Sequence, residues 1–584
     1  MQISSIRKNE KGHVIFISML MVLVSLGFTL GYLQFVMGER FVHLKHVAES
    51  QAKLNAIAGL GKFGNPYLLS EHFSQDTLLS GEDLALMDGR SEEIWCRFIE
   101  VSGANEDQLE SSARGVAYFH GFNGEDIEVT HDVRVRYTPD TFAKYMYFTN
   151  SETPAPPWAG SYVSFGSNEE LEGIVYSNDN ITMSQFGCPD FIDGPGGQVS
   201  EVYTAGNFIM NGCSEGIFEG IFEDSAAVIE WPPFTGHERV KNNASWIIRA
   251  DDLITGEIDE HDYLLMTEIE FTGSGFIIKQ WPYALPPYEP VAVGGIGRAA
   301  FADSMGQYYP YTFSHNPFLF PEGMNTFGTF DQNPEDWSHY DIPEYPRPSN
   351  PDDFYRYEEI FTNEGVIWVE GGQVRVFGEI RGRFTIATSS DTPYRLFHNY
   401  SPGMMKNNIW IIGDLRYEDS YANGRVREGS NNRLGLLSAA NIIVANTLVN
   451  GAHNGGVGGS VVINAAMIAM NKSFQIQYWQ NTTTNYNFTD GSQIKGDGQG
   501  IPYYGSSGNT DYRGIVNIWG SVIQAKRGYL KRNNPGPYAN TIGYDKNYNY
   551  DYNLREFPPP AWPENRNADG TRNMSVAAFG DYGN

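Results

Sequence analysis

Four charged residues in the second half of the chain have types and spacing suited to acid–base chemistry. Gly378-Glu379-Ile380-Arg381 and Gly413-Asp414-Leu415-Arg416 align residue for residue. On neighbouring strands, Glu379 and Asp414 would line one outer groove, with Arg381 and Arg416 beside them. Paired carboxylates next to guanidinium groups can exchange protons with a glycosidic bond, so the catalytic alternative is attack on a glycan. The favoured reading is a solvated ladder of opposite charges that steadies strand stacking slightly. Phe377, Trp410 and Trp519 are expected on the outside, where rings stack on sugars or on another subunit.

Other candidate chemistry is thinner. His43 and His46 share a helix face, but no third ligand lies nearby, and they read as interfacial polar residues. Asn565, Asn567 and Asp569-Gly570 imitate the start of a calcium loop, yet Val576 stands where a bidentate Glu belongs. Gly295-Ile296-Gly297-Arg298-Ala299-Ala300 matches a relaxed dinucleotide fingerprint, but Pro310 and loop-like sequence follow, so a turn between strands is expected. His-Glu-x-x-His, Gly-x-Ser-x-Gly and the P-loop pattern are absent. No metal and no cofactor is expected. Of the three cysteines, Cys188 and Cys213 lie in one repetitive region and are expected to pair.

The elements that must position these residues begin with an oily one. Val14 to Leu33 carries no charge, and at about 1.5 Å per residue it spans a hydrocarbon core of about 30 Å. Arg7, Lys8 and Lys11 precede it, so the positive-inside rule keeps the N-terminus in the cytoplasm. A cleaved secretory signal is the alternative, but its apolar region is shorter, and here bulky Phe35-Val36-Met37 follows instead of a small-residue site. Phe41, Leu44, Val47 and Ala48, then Leu54, Ile57 and Ala58, recur at helical spacing, and Gly59 and Gly61 supply a stop. The expectation is one continuous rod, apolar all round at first and amphipathic later. Gly27 and Gly31 form a Gly-x-x-x-Gly pair that permits close helix approach.

The stretch Lys11-Gly12, the apolar run, and Ala48-Glu49-Ser50-Gln51-Ala52 with Ala56 and Ala58-Gly59 resemble the N-terminal segment of PilX-type minor pilins. The resemblance covers about 60 residues. It implies cleavage by a prepilin peptidase between Gly12 and His13, and packing among other pilin-like subunits through the helix. Two departures stand out: Ile17 occupies the position where major pilins carry Glu, and His13 would be the first mature residue. The segments 374–388, 408–417, 434–447 and 520–530 also resemble an uncharacterised family of bacterial envelope proteins, which brings no function with it.

Composition bounds the rest. The chain has 584 residues, of which 40 are Lys or Arg and 70 are Asp or Glu, for a net charge of −30. Such a chain repels phosphate backbones, so nucleic-acid binding is not expected. The 63 Gly, 35 Tyr and 35 Phe favour strands and turns over helices.

Internal repeats give the fold class. VYSNDNITM at 175–183 and VYTAGNFIM at 202–210 match at an offset of 27. A second motif, apolar-x-small-x-apolar, recurs around Gly378, Gly413, Ala465 and Gly520. A recurrence near 26 residues suits one turn of a parallel β-helix, with the β-sandwich as structural rival. The expected fold is mainly β: a long N-terminal transmembrane and amphipathic helix followed by a parallel β-helix-like extracytoplasmic region. The expected division is 1–12 cytoplasmic, 13–37 transmembrane, 38–62 amphipathic continuation, 63–160 a mixed head, 161–281 a first solenoid region, 282–360 a Pro- and aromatic-rich insertion, 361–530 a second solenoid region and 531–584 a Tyr- and Pro-rich cap.

The functional expectation is a non-enzymatic, membrane-anchored, pilin-like envelope protein. It acts in pilus or secretion-filament assembly or in surface contact, with its bulk in the periplasm or at the cell surface. The alternative is a membrane-tethered β-helix that binds or cleaves polysaccharide.

Overall fold

A run of Leu, Met, Val and Ala without proline builds the helix α1, Glu10–Gly59, which is 50 residues long. Within its apolar half the hydroxyls of Ser18, Ser25 and Thr29 donate to the carbonyls of Val14, Val22 and Ser25, so these three hydroxyls need no water. The structure is a computed structural model that describes residues 10–61, 77–78, 84–86, 89–101, 104–154, 162–231, 235–250, 264–283, 288–293, 296–302, 308–309, 350–394, 403–445, 449–450, 459–476, 511–536, 539–555, 557–565 and 574–582. It is mainly β with this one long helix. Most of the expected insertion at 282–360 lies outside the described residues, as do Asn567, Asp569 and Gly570.

The chain divides into two units, the first made of 1–101, 106–139 and 571–584 and the second of 102–105 and 140–570. In the first, the strands Gly89–Val101, Ala104–His120, Asp126–Pro139 and Met574–Tyr582 form an antiparallel sheet in that order. The second half of α1 lies on this sheet through small residues. Ala48, Ala52 and Ala56 are buried at spacings of four, one turn apart. Gly115 makes the close approach possible, because a Cβ there would stand 1.8 Å from the Ala52 carbonyl oxygen. Asn55 Nδ2 donates to the Val116 carbonyl at 2.8 Å and fixes the height of the helix on the sheet. Val47, Leu54 and Ile57 take no part in this contact and remain exposed.

The second unit is built on two parallel ladders. One runs through Trp246–Arg249, Glu364–Glu370, Arg383–Thr388, Arg433–Ser438 and Ala466–Ala469. It continues through the end of Asp511–Gln524 and then Tyr147–Thr149, Ile174–Ser177, Glu201–Thr204 and Ile221–Glu223. The other includes Leu264–Thr272, Val374–Ile380, Ile409–Tyr417, Ile442–Val444 and Phe474–Ile476. Equivalent positions stack: Ile269, Val376, Ile411, Val444 and Ile476 are successive partners, all fully buried. Each such side chain contributes about 1.5–3 kcal/mol of burial, which is why these strands recur.

The order along the ladder is not the order of the chain. Val522 pairs with Tyr147, so the last strands of the unit lie against its first. After Glu223 the chain therefore has to travel back. Asn178 Nδ2 donates to the Ile229 carbonyl, and Trp231 Nε1 to the Met470 carbonyl at 3.0 Å, so the returning segment is tied to the rungs it crosses. A short helix, Thr235–Asn242, then leads into the far end of the ladder.

Candidate functional site

The most unusual surface belongs to the first half of α1. Val14 to Met37 presents apolar side chains on every side, with Phe28 76% and Met37 44% exposed. The helix is long and apolar enough to cross a membrane. Gly27 and Gly31 sit on this bare stretch with nothing within 4 Å of the place a Cβ would take. Gly12 and His13 both fall within the helical span.

Where α1 leaves its apolar run, it meets the turn joining Ala104–His120 to Asp126–Pro139. A groove of about 580 Å³ opens there, lined among others by Met37, Arg40, Phe41, Leu44, Phe119 and Phe122. The Phe41 ring stacks on Phe122 with centroids 5.3 Å apart and meets the edge of Phe119 at the same distance.

The charge ladder differs from the residue-for-residue alignment. Val376 pairs with Ile411 as aligned, but the register then slips by two residues, so Gly378 faces Leu415 and Glu379 faces Arg416. The slip sits at Gly378, whose φ of +114° is one that L side chains rarely adopt. Glu379 is thereby opposite a cation and not opposite Asp414. Asp414 Oδ1 accepts the Val462 N–H at 2.9 Å, and Arg416 donates to the Ala422 carbonyl at 3.0 Å. Arg381 approaches Glu418 at 3.4 Å. Arg381, Asp414 and Arg416 are thus spread over ion pairs and backbone contacts. Trp410 is fully buried, its Nε1 donating to Gln373 Oε1 at 2.8 Å, and Trp519 is also covered. Gly424 comes against Trp519, because the excursion after Tyr417 folds over that strand.

Comparison of the chain with family models, with curated proteins and with solved structures finds no match.

The Cys188 and Cys213 sulfurs are bonded. Ile296 to Ala300 of the dinucleotide-like pattern belong to a strand, Ile296–Ala302, that pairs antiparallel with Tyr288–Val293, and Gly295 lies outside the described residues. Among the described residues, no group of three His, Cys, Asp or Glu side chains could hold a metal ion.

Two polar features escape sequence reasoning. At the seam between last and first strands, Arg527 donates to Glu152 at 2.7 Å, and Lys546 donates to Glu169 at 2.7 Å. Arg527 lies over the face of Phe165, 3.5 Å from its centroid. Nearby on the same strand as Glu169, burial pushes the Glu172 carboxyl up to about 7, against a pull downward from Arg425. The partners are hundreds of residues apart, so no local pattern marks them. The second feature was visible in principle. Asn408 and Asn441 each precede an apolar run, and they form a buried amide ladder: Asn441 Nδ2 donates to Asn408 Oδ1, and Gln475 Nε2 to Asn441 Oδ1.

Proposed function

We propose that this chain is a single-pass, pilin-like envelope protein whose bare helix is the assembly and anchoring element. The observation that carries the reading is the division of α1. Its first half is exposed and apolar, and its second half is seated on an antiparallel sheet by alanines. A subunit that must both sit in lipid and pack its helix among like helices needs that division. The basic residues Arg7, Lys8 and Lys11 favour a cytoplasmic N-terminus, which puts the acidic bulk outside.

The second unit fits a parallel β-solenoid. Support comes from the parallel pairings of the two ladders and the stacked aliphatic row. The 27-residue repeat adds to it, since Val202 pairs with Val175 and Asn207 N donates to Asn180 Oδ1 across 27 residues. Its role is read as structural or one of surface contact, because Asp414 and Arg416 are engaged with each other and with the backbone, Arg381 is paired with Glu418, and Glu379 does not face Asp414.

The deciding experiment is mass spectrometry of the mature N-terminus. A start at His13 is the result expected of prepilin processing. Met1 points to an ordinary anchor, and a start beyond Arg40 overturns the proposal. Turnover of an acidic or neutral polysaccharide, abolished by Glu379→Gln or Asp414→Asn, would instead establish the glycan-active reading.

A further inference from the structure

We propose that the turn 121–125 is a second membrane contact, in which Phe122 and the groove behind it rest in the interfacial layer of the leaflet from which α1 emerges. The inference depends on α1 crossing the bilayer, as argued above, and adds a second point of attachment beside it.

Height along the helix carries the argument. The uncharged run of α1, broken only by polar Gln34 after Leu33, ends at Gly38, and the first charges beyond it are Glu39 and Arg40. Phe41 lies four residues beyond Met37, about 6 Å further along the axis. The Phe122 ring stacks on Phe41 with centroids 5.3 Å apart. With the hydrocarbon ending between Leu33 and Met37, Phe41 and the Phe122 ring stacked on it lie about 6–12 Å beyond that boundary, at the depth of the headgroups. This relationship lies wholly inside the first unit.

Chemistry agrees with position. Phe122 is 55% and Tyr118 41% exposed. The turn around Phe122 is otherwise Gly121, Asn123, Gly124 and Glu125, so the ring is the one large apolar group there. Aromatic side chains concentrate at this depth of a bilayer, where an apolar ring meets hydrated headgroups. The groove joins the apolar span to the turn without interruption, from Met37 through Phe41 to Phe122, and Arg40 on its wall suits a lipid phosphate. Glu125 and Asp126 lie beside the turn, and Asp126 is paired with His120, so a zwitterionic surface suits it better than an anionic one.

The test uses the full chain in phosphatidylcholine vesicles, with Cys96→Ser to leave no unpaired thiol. Nitroxide labels are placed through Phe122→Cys or, with both rings kept, Asn123→Cys. Phe28→Cys in the apolar run and Val228→Cys on the second unit serve as references. The ratio of oxygen to nickel-chelate accessibility is expected to be several-fold higher at 122 and 123 than at 228, and lower than at 28. A ratio at both turn sites equal to that at 228 overturns the proposal. Inaccessibility to both reagents also overturns it, because the turn is then covered by protein, for which a second copy is the candidate. If the label at 28 reads as aqueous, the spanning helix itself fails, and the two failures are thereby told apart.

Discussion

Arg527 and Glu152 meet at 2.7 Å although 375 residues separate them, and both side chains are almost wholly buried. This contact closes the seam where Asp511–Gln524 lies beside Tyr147–Thr149. Removing one partner of a buried ion pair strands the other charge and costs about 3–5 kcal/mol. Arg527→Ala and Glu152→Ala are each expected to lose that much stability in denaturant titrations of the detergent-solubilised chain. The double replacement Glu152→Leu with Arg527→Met is expected to lose less than either single one. Single variants within about 1 kcal/mol of the parent would show that the seam is held by its strands alone.

The pH dependence of stability is expected to come from two buried groups with opposite signs. Burial pushes the Glu172 carboxyl up to about 7, and lowers His237 to about 4. Glu172 binds its proton more tightly when folded. Its stabilising effect is complete below the unfolded value near 4.5 and is lost as pH rises through about 7. His237 behaves the other way, with stability present above 6.5 and lost as pH falls through about 4. Glu172→Gln is therefore expected to flatten the alkaline side of a stability–pH profile, and His237→Gln the acid side. An unchanged profile in either variant would remove that group from the account.

Sequence made the local features legible and hid the distant ones. The 27-residue match at Val175 and Val202 is in register because both segments repeat the same wall, residue by residue. The motif around Ala465 and Gly520 also aligns as written, with Ile463 opposite Ile518 and Met467 opposite Val522. The motif around Gly378 and Gly413 fails after Val376, because a bulge adds two residues to one strand, and periodicity cannot show a bulge. Alternation alone places Trp410 outside, but alternation does not say that the outer face is covered. The order of the strands was not legible either: nothing in residues 147–149 says that they pair with 522–524.

The Cys188–Cys213 bond closes a loop of 25 residues, for which chain-entropy reasoning gives about 3 kcal/mol. The effect is expected to be local. Replacing both cysteines by Ser should raise hydrogen exchange in Asp190–Ile192 and Glu201–Thr204 while leaving Glu364–Glu370 unchanged. Uniform loosening across the unit would mean that these strands are not an independent edge.

Glycines along α1 and its sheet separate folding from association. A methyl group at Gly115 meets the backbone of Ala52 and Ala56 at 1.8 and 2.5 Å, and backbone cannot rotate away. Gly115→Ala is expected to lift the helix from its sheet at a cost of about 1–3 kcal/mol, read as faster exchange of the Ala52–Ala56 amides. Gly27 and Gly31 have open space around them, so a larger side chain there meets nothing within the chain. Gly27→Leu and Gly31→Leu should leave stability unchanged and weaken self-association in a membrane dimerisation assay, because the backbones of two helices could no longer come close. Gly115→Ala should leave that association largely intact. If the helix pairs equally well with Leu at 27 and 31, the bare surface is in contact with lipid alone and the subunit-packing role has to be given up.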